Sequence, residues 1–144
     1  DISADAPAGA THADLYLCGS GASGGNVEWG GSAATLIKFN VPITQLTSVT
    51  TVIGASVEGD ASVGASGNDS TYTDGTISMT AEGGRTKGDY KTQSGAGAST
   101  DHDICIFGSP EVTGYFGGLG AYGAGGFDDP GNFSGAGVLR VFWR

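Results

Sequence analysis

Residues 33–57 read AATLIKFNVPITQLTSVTTVIGASV, and this stretch decides the fold class. Leu36, Lys38 and Asn40 alternate with Ile37, Phe39 and Val41, the two-residue period of a half-buried strand, and Pro42 ends the run. Val49, Thr50, Thr51, Val52 and Ile53 follow as a second run of β character. The stretch therefore predicts strands over 33–41 and 48–57, joined as a hairpin through 43–47.

The same signal recurs on both sides. In 10–18, Asp14, Tyr16 and Cys18 alternate with Leu15 and Leu17, and Pro7 and Gly9 mark the approach. Residues 76–81 supply a strand with Ile77 and Met79 on one face, 103–107 a fifth, and 138–143 a sixth in which Val138, Arg140 and Phe142 alternate with Leu139, Val141 and Trp143. Residues 19–32 carry six glycines around Val27, Glu28 and Trp29, a density that predicts a loop; 58–75 and 85–91 read as polar connections. Six short strands with turn signals between them predict an all-β fold, an antiparallel β-sandwich or jelly-roll-like domain with long glycine-rich loops.

Composition agrees and narrows the function classes. Val, Ile, Thr, Tyr, Phe and Trp number 43, whereas the helix formers Leu, Glu, Lys, Arg, Gln and Met number 19. At 144 residues the chain fits one domain, 1–144, with 1–9 a candidate extended arm. No run of 18 apolar residues is present, so membrane insertion is not expected. The net charge of -9 repels phosphate backbones, and the basic residues Arg85, Lys87 and Lys91 are partly offset by Asp89, so nucleic acid is not an expected partner. Asp1 is read as a processed terminus or the edge of an excised domain.

Glycine accounts for 28 residues, and Gly114, Gly117, Gly120, Gly123 and Gly126 recur at every third position. A polyproline-II-type backbone has three residues per turn, so this spacing leaves one edge bare for backbone-to-backbone packing, in polyglycine-II-like segments. Tyr115, Phe116, Tyr122, Phe127 and Phe133 are interleaved with these glycines. A disordered linker lacks aromatics, so the segment is expected to be ordered without regular helix or strand.

Four pieces then fall in a familiar order. They are PAGATHADLYLCGSGASGG over 7–25, GSAATLIKFNVPITQLTSVTTVIG over 31–54, GTISMTAEGG over 75–84 and GAYGAGGFDDPGNFSGAGVLRVFWR over 120–144. A proline-led strand running into glycines, two strands around a proline turn, and a glycine tract closed by an aromatic terminal strand resemble the glycine-rich C-terminal domain of bacteriophage tail fibres and related virion appendages. Ser, Ala, Asp and aromatics interrupt the glycine tracts that the family carries unbroken. The resemblance implies a non-enzymatic structural or host-attachment protein at the virion surface, in contact with other virion proteins and often a homo-oligomer, with trimers among the states.

Chemistry-bearing residues are sparse. Cys18 and Cys105 are a candidate disulfide, worth ~4.6 kcal/mol on the chain-entropy model, and two buried free thiols are equally economical. Asp101, His102 and Asp103 unite a histidine with carboxylates, but alternation sends His102 to the opposite face, and a solvated strand entry is the simpler reading. Asn68, Asp69 and Asp74, or Asp128, Asp129 and Asn132, offer oxygen ligands without the spaced ladder of a calcium loop. No nucleophile elbow, thiol–histidine pair or phosphate loop is present, so no enzyme, cofactor or metal is expected. Two other functions stay open. One is a secreted filament subunit that lends its N-terminal segment to a neighbour's sheet. The other is a carbohydrate-binding module whose stacking faces come from Trp29, Tyr115, Phe116 and Tyr122, with Phe127 and Phe133 as further partner or receptor contacts.

Overall fold

The computed structural model describes residues 1–24, 30–59, 64–86, 95–97, 99–108 and 134–144. Seven strands are seen there: β1 His12–Cys18, β2 Thr35–Pro42, β3 Thr50–Val52, β4 Ser70–Thr73, β5 Ser78–Ala81, β6 Ile104–Ile106 and β7 Val138–Trp143. They form two antiparallel sheets, ordered β6-β2-β1-β7 and β3-β4-β5. The all-β sandwich read from the sequence is the fold.

Alternation places the core. Ala13, Leu15 and Leu17 of β1 pair with Trp143, Val141 and Leu139 of β7 on the inner face, and Leu36 and Val41 of β2 extend that face. Tyr72, Met79 and Ala81 of the second sheet close on it, with Leu46 and Ile77 at the margin. Burying each large apolar side chain contributes about 1.5–3 kcal/mol.

Two expectations are corrected. β2 and β3 form no hairpin: they belong to different sheets, and 43–47, a 3-10 turn with Leu46 buried, carries the chain between the layers. Inside the run 58–75, read as polar connection, lies β4, whose Ser70 and Tyr72 are buried while Thr73 faces solvent. Its Ser-Thr-Tyr-Thr sequence buries a polar-looking face because the Tyr72 hydroxyl donates to Asp74 Oδ2 at 3.0 Å.

The third correction matters most. Residues 19–24, read as a loop, form the buried axis of the molecule: Ser20, Ala22 and Ser23 are all at 1% exposure or less. Their N–H groups rotate through three neighbours with a three-residue period. Gly19 and Ala22 donate to Ala34 and Gly31, Ser20 and Ser23 to Asn68 and Ala65, and Gly21 to Gly135. The pattern repeats further out, where Gly31 and Ala34 donate to Arg85 and Glu82, and Ser134 and Gly137 to Val57 and Gly54. Three residues per turn is the periodicity of the polyproline-II-type helix. The backbone thus leaves the sandwich and continues as a bundle of extended three-fold segments: 19–24, 30–34, 54–59, 64–69, 82–86 and 134–137.

Buried serines complete the bonding. Ser20 N–H donates to Asn68 O at 3.0 Å while Ser20 Oγ accepts Asn68 N–H at 2.7 Å. Ser23 brackets Ala65 in the same way, and Ser134 brackets Val57. Each hydroxyl takes an N–H that would otherwise be orphaned in the interior. Spacing between segments is set by glycine: at Gly84 an added Cβ would enter the van der Waals shell of the Gly31 carbonyl and lie 2.5 Å from Ala22 N. Gly84→Ala is therefore expected to cost about 3 kcal/mol or more, and Ser20→Ala about 1–3 kcal/mol through the uncovered Asn68 amide. Urea unfolding followed by circular dichroism measures both.

Candidate functional site

Each bundle segment continues a strand, so the sandwich lies at one end of the bundle and the connections leave at the other. The chain departs at Gly24 and Gly59 and returns at Gly30 and Gly64, and these four positions meet. A Cβ on Gly59 would collide with Gly24 O, one on Gly64 with Ser23 O, and one on Gly30 with Ala22 O. Thr86 follows Arg85, whose carbonyl accepts Gly31 N–H, and Ser134 follows residues 109–133 at the level of Val57. Four connections, 25–29, 60–63, 87–94 and 109–133, thus begin at this end or close to it, and three return there. Residue 95 lies lower, where Gly95 O accepts Glu82 N–H. The end is the candidate site, a rigid platform of small residues with the Arg85–Glu82 ion pair at its flank (3.4 Å).

Trp29, Tyr115, Phe116, Tyr122, Phe127 and Phe133 all belong to those connections and lie outside the described residues, as do Gly114, Gly117, Gly120, Gly123 and Gly126. Asp128, Asp129 and Asn132 lie outside them too. Residues 1–9, the candidate arm, hold a 3-10 turn at Ser3–Asp5, and Ile2 N–H donates to Leu46 O at 3.0 Å.

Cys18 and Cys105 are both free thiols, and the register explains it. Cys18 pairs with Thr35 on β2, whereas Cys105 pairs with Leu36, so the two side chains project from opposite faces of the sheet. With β2 between them their Cα atoms are roughly 9.5 Å apart, beyond disulfide reach. Burial pushes the Cys18 thiol up, with a hydrogen bond to Thr35 opposing it in part; burial and the nearby Glu82 raise Cys105. Only the thiolate is the nucleophile. Both thiols are expected to react with Ellman's reagent in denaturant without prior reduction, and buried Cys18 is expected to be the slower one in the native protein, read by mass spectrometry.

The acidic residues serve the backbone. Asp14 opposes both Phe39 and Asn40, a bulge in β2 where Asn40 adopts φ 59°. Asp14 Oδ1 accepts Asn40 N–H at 2.9 Å, and its Oδ2 accepts Arg144 Nε at 2.8 Å. Asp103 takes the other bulge amide, Phe39 N–H, at 2.7 Å and pairs with Lys38 Nζ at 2.9 Å. Asp101 turns to the other sheet and accepts Ser78 N–H at 2.7 Å, so Asp101 and Asp103 diverge. A shallow groove there is lined by Ser78, Thr80, Ser99, Thr100 and Asp101. Asp74 caps the turn at Thr76 and Ile77, whereas Asp69 accepts Gly83 N–H and Asn68 Nδ2 donates to Ala55 O, two links between bundle segments, so the three side chains serve separate places. Among the described residues no three His, Cys, Asp or Glu side chains gather as metal ligands, and no helix is long and apolar enough to cross a membrane.

Sequence reasoning missed the outer face of the four-stranded sheet. Ile104, Ile37 and Tyr16 form a row across β6, β2 and β1, and Phe142 stands edge-on to Tyr16 with ring centroids 4.9 Å apart. Ile104, Ile106, Phe107 and Phe142 are 42–59% exposed. The alternation of 103–107 and 138–143 carried that signal, but not which face would hold the exposed residues. No protein-family model matches the chain, and no curated protein matches it.

The bulge amide at Phe39 and the Lys38 ammonium hold the Asp103 carboxyl below its ordinary value. A depressed folded pKa stabilises above the unfolded value, about 3.9, and the contribution is lost as pH falls through the folded one. Asp103→Asn is expected to lower the urea midpoint at pH 7 and to match the wild type once acid has protonated Asp103.

Proposed function

We propose that the chain is a non-enzymatic module of a bacteriophage tail fibre or related virion appendage, displayed at the virion surface and engaged in host-surface attachment. One observation carries the reading: the stems flanking 25–29 and 60–63, with the return of 109–133 at Ser134, gather at one end of a bundle whose backbone is hydrogen-bonded on several sides. Recognition residues are favoured on loops that a rigid scaffold positions, and the aromatic residues at 29, 115, 116, 122, 127 and 133 all fall on these connections. Rings of low rotamer entropy suit a glycan receptor. The sheets at the other end are left for attachment to other virion proteins or to further copies.

The test is twofold. Antibody against the chain is expected to label the tips of purified virions. The purified chain is expected to bind at least one polysaccharide on an array of bacterial surface glycans, and to lose that binding when residues 25–29 and 109–133 are replaced by Gly-Ser sequences of equal length with the thermal midpoint preserved. Silence on the array together with chain found only in extracellular filaments overturns the proposal in favour of a filament subunit.

A further inference from the structure

The two sheets present four edges, and three are blunted. β6 and β3 are three residues long, and β5 is covered by Asp101 Oδ2 on Ser78 N–H, Ser99 Oγ on Ser78 O and Gly95 O on Glu82 N–H. Short strands and covering chain are the usual protection against edge pairing. Among the described residues β7 has neither: it runs six residues without proline or register break and pairs with β1 alone.

The free groups of that edge can be assigned. His12 and Arg144 exchange both backbone hydrogen bonds, His12 N–H to Arg144 O and Arg144 N–H to His12 O. Antiparallel pairs alternate between bonded and non-bonded. Residues 138, 140, 142 and 144 therefore point their amides at β1, and Leu139, Val141 and Trp143 point theirs outward. The side chains of these three lie on the core face and remain half-buried, an apolar layer that stops at the sheet edge.

We propose that β7 is a two-fold pairing edge, occupied by β7 of a second copy of this chain in antiparallel register about Val141. In that register Val141 meets Val141 of the second copy, Leu139 meets its Trp143, and Trp143 its Leu139, so all three outward residues form bonded pairs. On the outer face Arg140 lies opposite Phe142 of the second copy, a cation–π pair, and Phe142 opposite its Arg140. Shifting by two residues about Arg140 leaves only two bonded pairs and sets Arg140 against Arg140. The opposite shift, about Phe142, also leaves two bonded pairs and sets Arg140 against Arg144, and like charges directly opposite destabilise a sheet, so the register about Val141 is favoured. The occupant is a copy because the strand is complementary to itself, as an isologous contact requires. None of the 15 acidic residues that make copies repel falls within 134–144.

Sedimentation velocity over a concentration series tests this. The chain is expected to pass from 14.2 kDa to double that mass. Val141→Pro, which removes an outward amide and no β1 bond, is expected to remain a folded monomer by circular dichroism. Cross-linking checks the register independently of that variant. Under mild oxidation Val141→Cys is expected to give a covalent dimer, its paired Cα atoms being about 5.5 Å apart. Arg140→Cys, about 7–8 Å from its counterpart, is expected to give none, with the wild-type chain controlling for Cys18 and Cys105. A monomer at every concentration, a dimer that survives Val141→Pro, or a covalent dimer from Arg140→Cys and none from Val141→Cys overturns the proposal. Glycan binding is read separately, so either result stands without the other.

Discussion

The three-way rotation of backbone hydrogen bonds around residues 19–24 is the constraint on which the rest of the structure depends. A strand in a sheet bonds to two neighbours, but a three-fold extended segment directs successive amides to three. Gly19 and Ala22 reach 30–34, Ser20 and Ser23 reach 64–69, and Gly21 reaches 134–137. Such close approach excludes any side chain larger than serine along the axis, and the sequence there is GSGASG. Glycine costs roughly 0.5–1 kcal/mol per residue in conformational entropy relative to alanine. Here that is offset by amides and carbonyls paired inside the molecule, where an orphan would cost more.

Sandwich and bundle are one continuous structure with two periods. Where large apolar residues alternate by two, as in Leu15 and Leu17, the chain makes sheet; where side chains shrink to Gly, Ala and Ser, it turns three-fold. The apolar core is accordingly thin, and carboxylates hold its irregularities. Asp14 and Asp103 take the two amides that the β2 bulge removes from the ladder, and Asp14 is buried against Arg144 at the end of β7. The Arg144 side chain is 65% exposed, so its loss would strand the buried Asp14 carboxylate, whereas loss of Asp14 would leave a solvated guanidinium.

This division of labour bears on function. The stems that meet at the far end of the bundle are each hydrogen-bonded to neighbouring segments. The sheets carry the opposite property: an outer face with Ile104, Ile106 and Phe142 exposed and, among the described residues, one unblunted edge. One end gathers the stems of the connections, the other presents strand surface.

The terminal strand, 138–143, was legible to the residue, and so was the shared face of Ile77 and Met79, because two-residue alternation is a local property of the chain. The all-β class followed from the same signal. Less was legible of the site: the aromatic connections could be named, but not that their stems meet. Glycine density at 19–24 reads equally as loop or as close-packed axis, since a missing side chain says nothing about what fills the space. Likewise Cys18 and Cys105 each lay in a strand, yet only the β1-β2-β6 order set them on opposite faces. Sequence alone determined the class and six of the strands; the tertiary structure decided that 70–73 is a strand, which strands pair and that the glycines are interior, because these depend on contacts between residues distant along the chain.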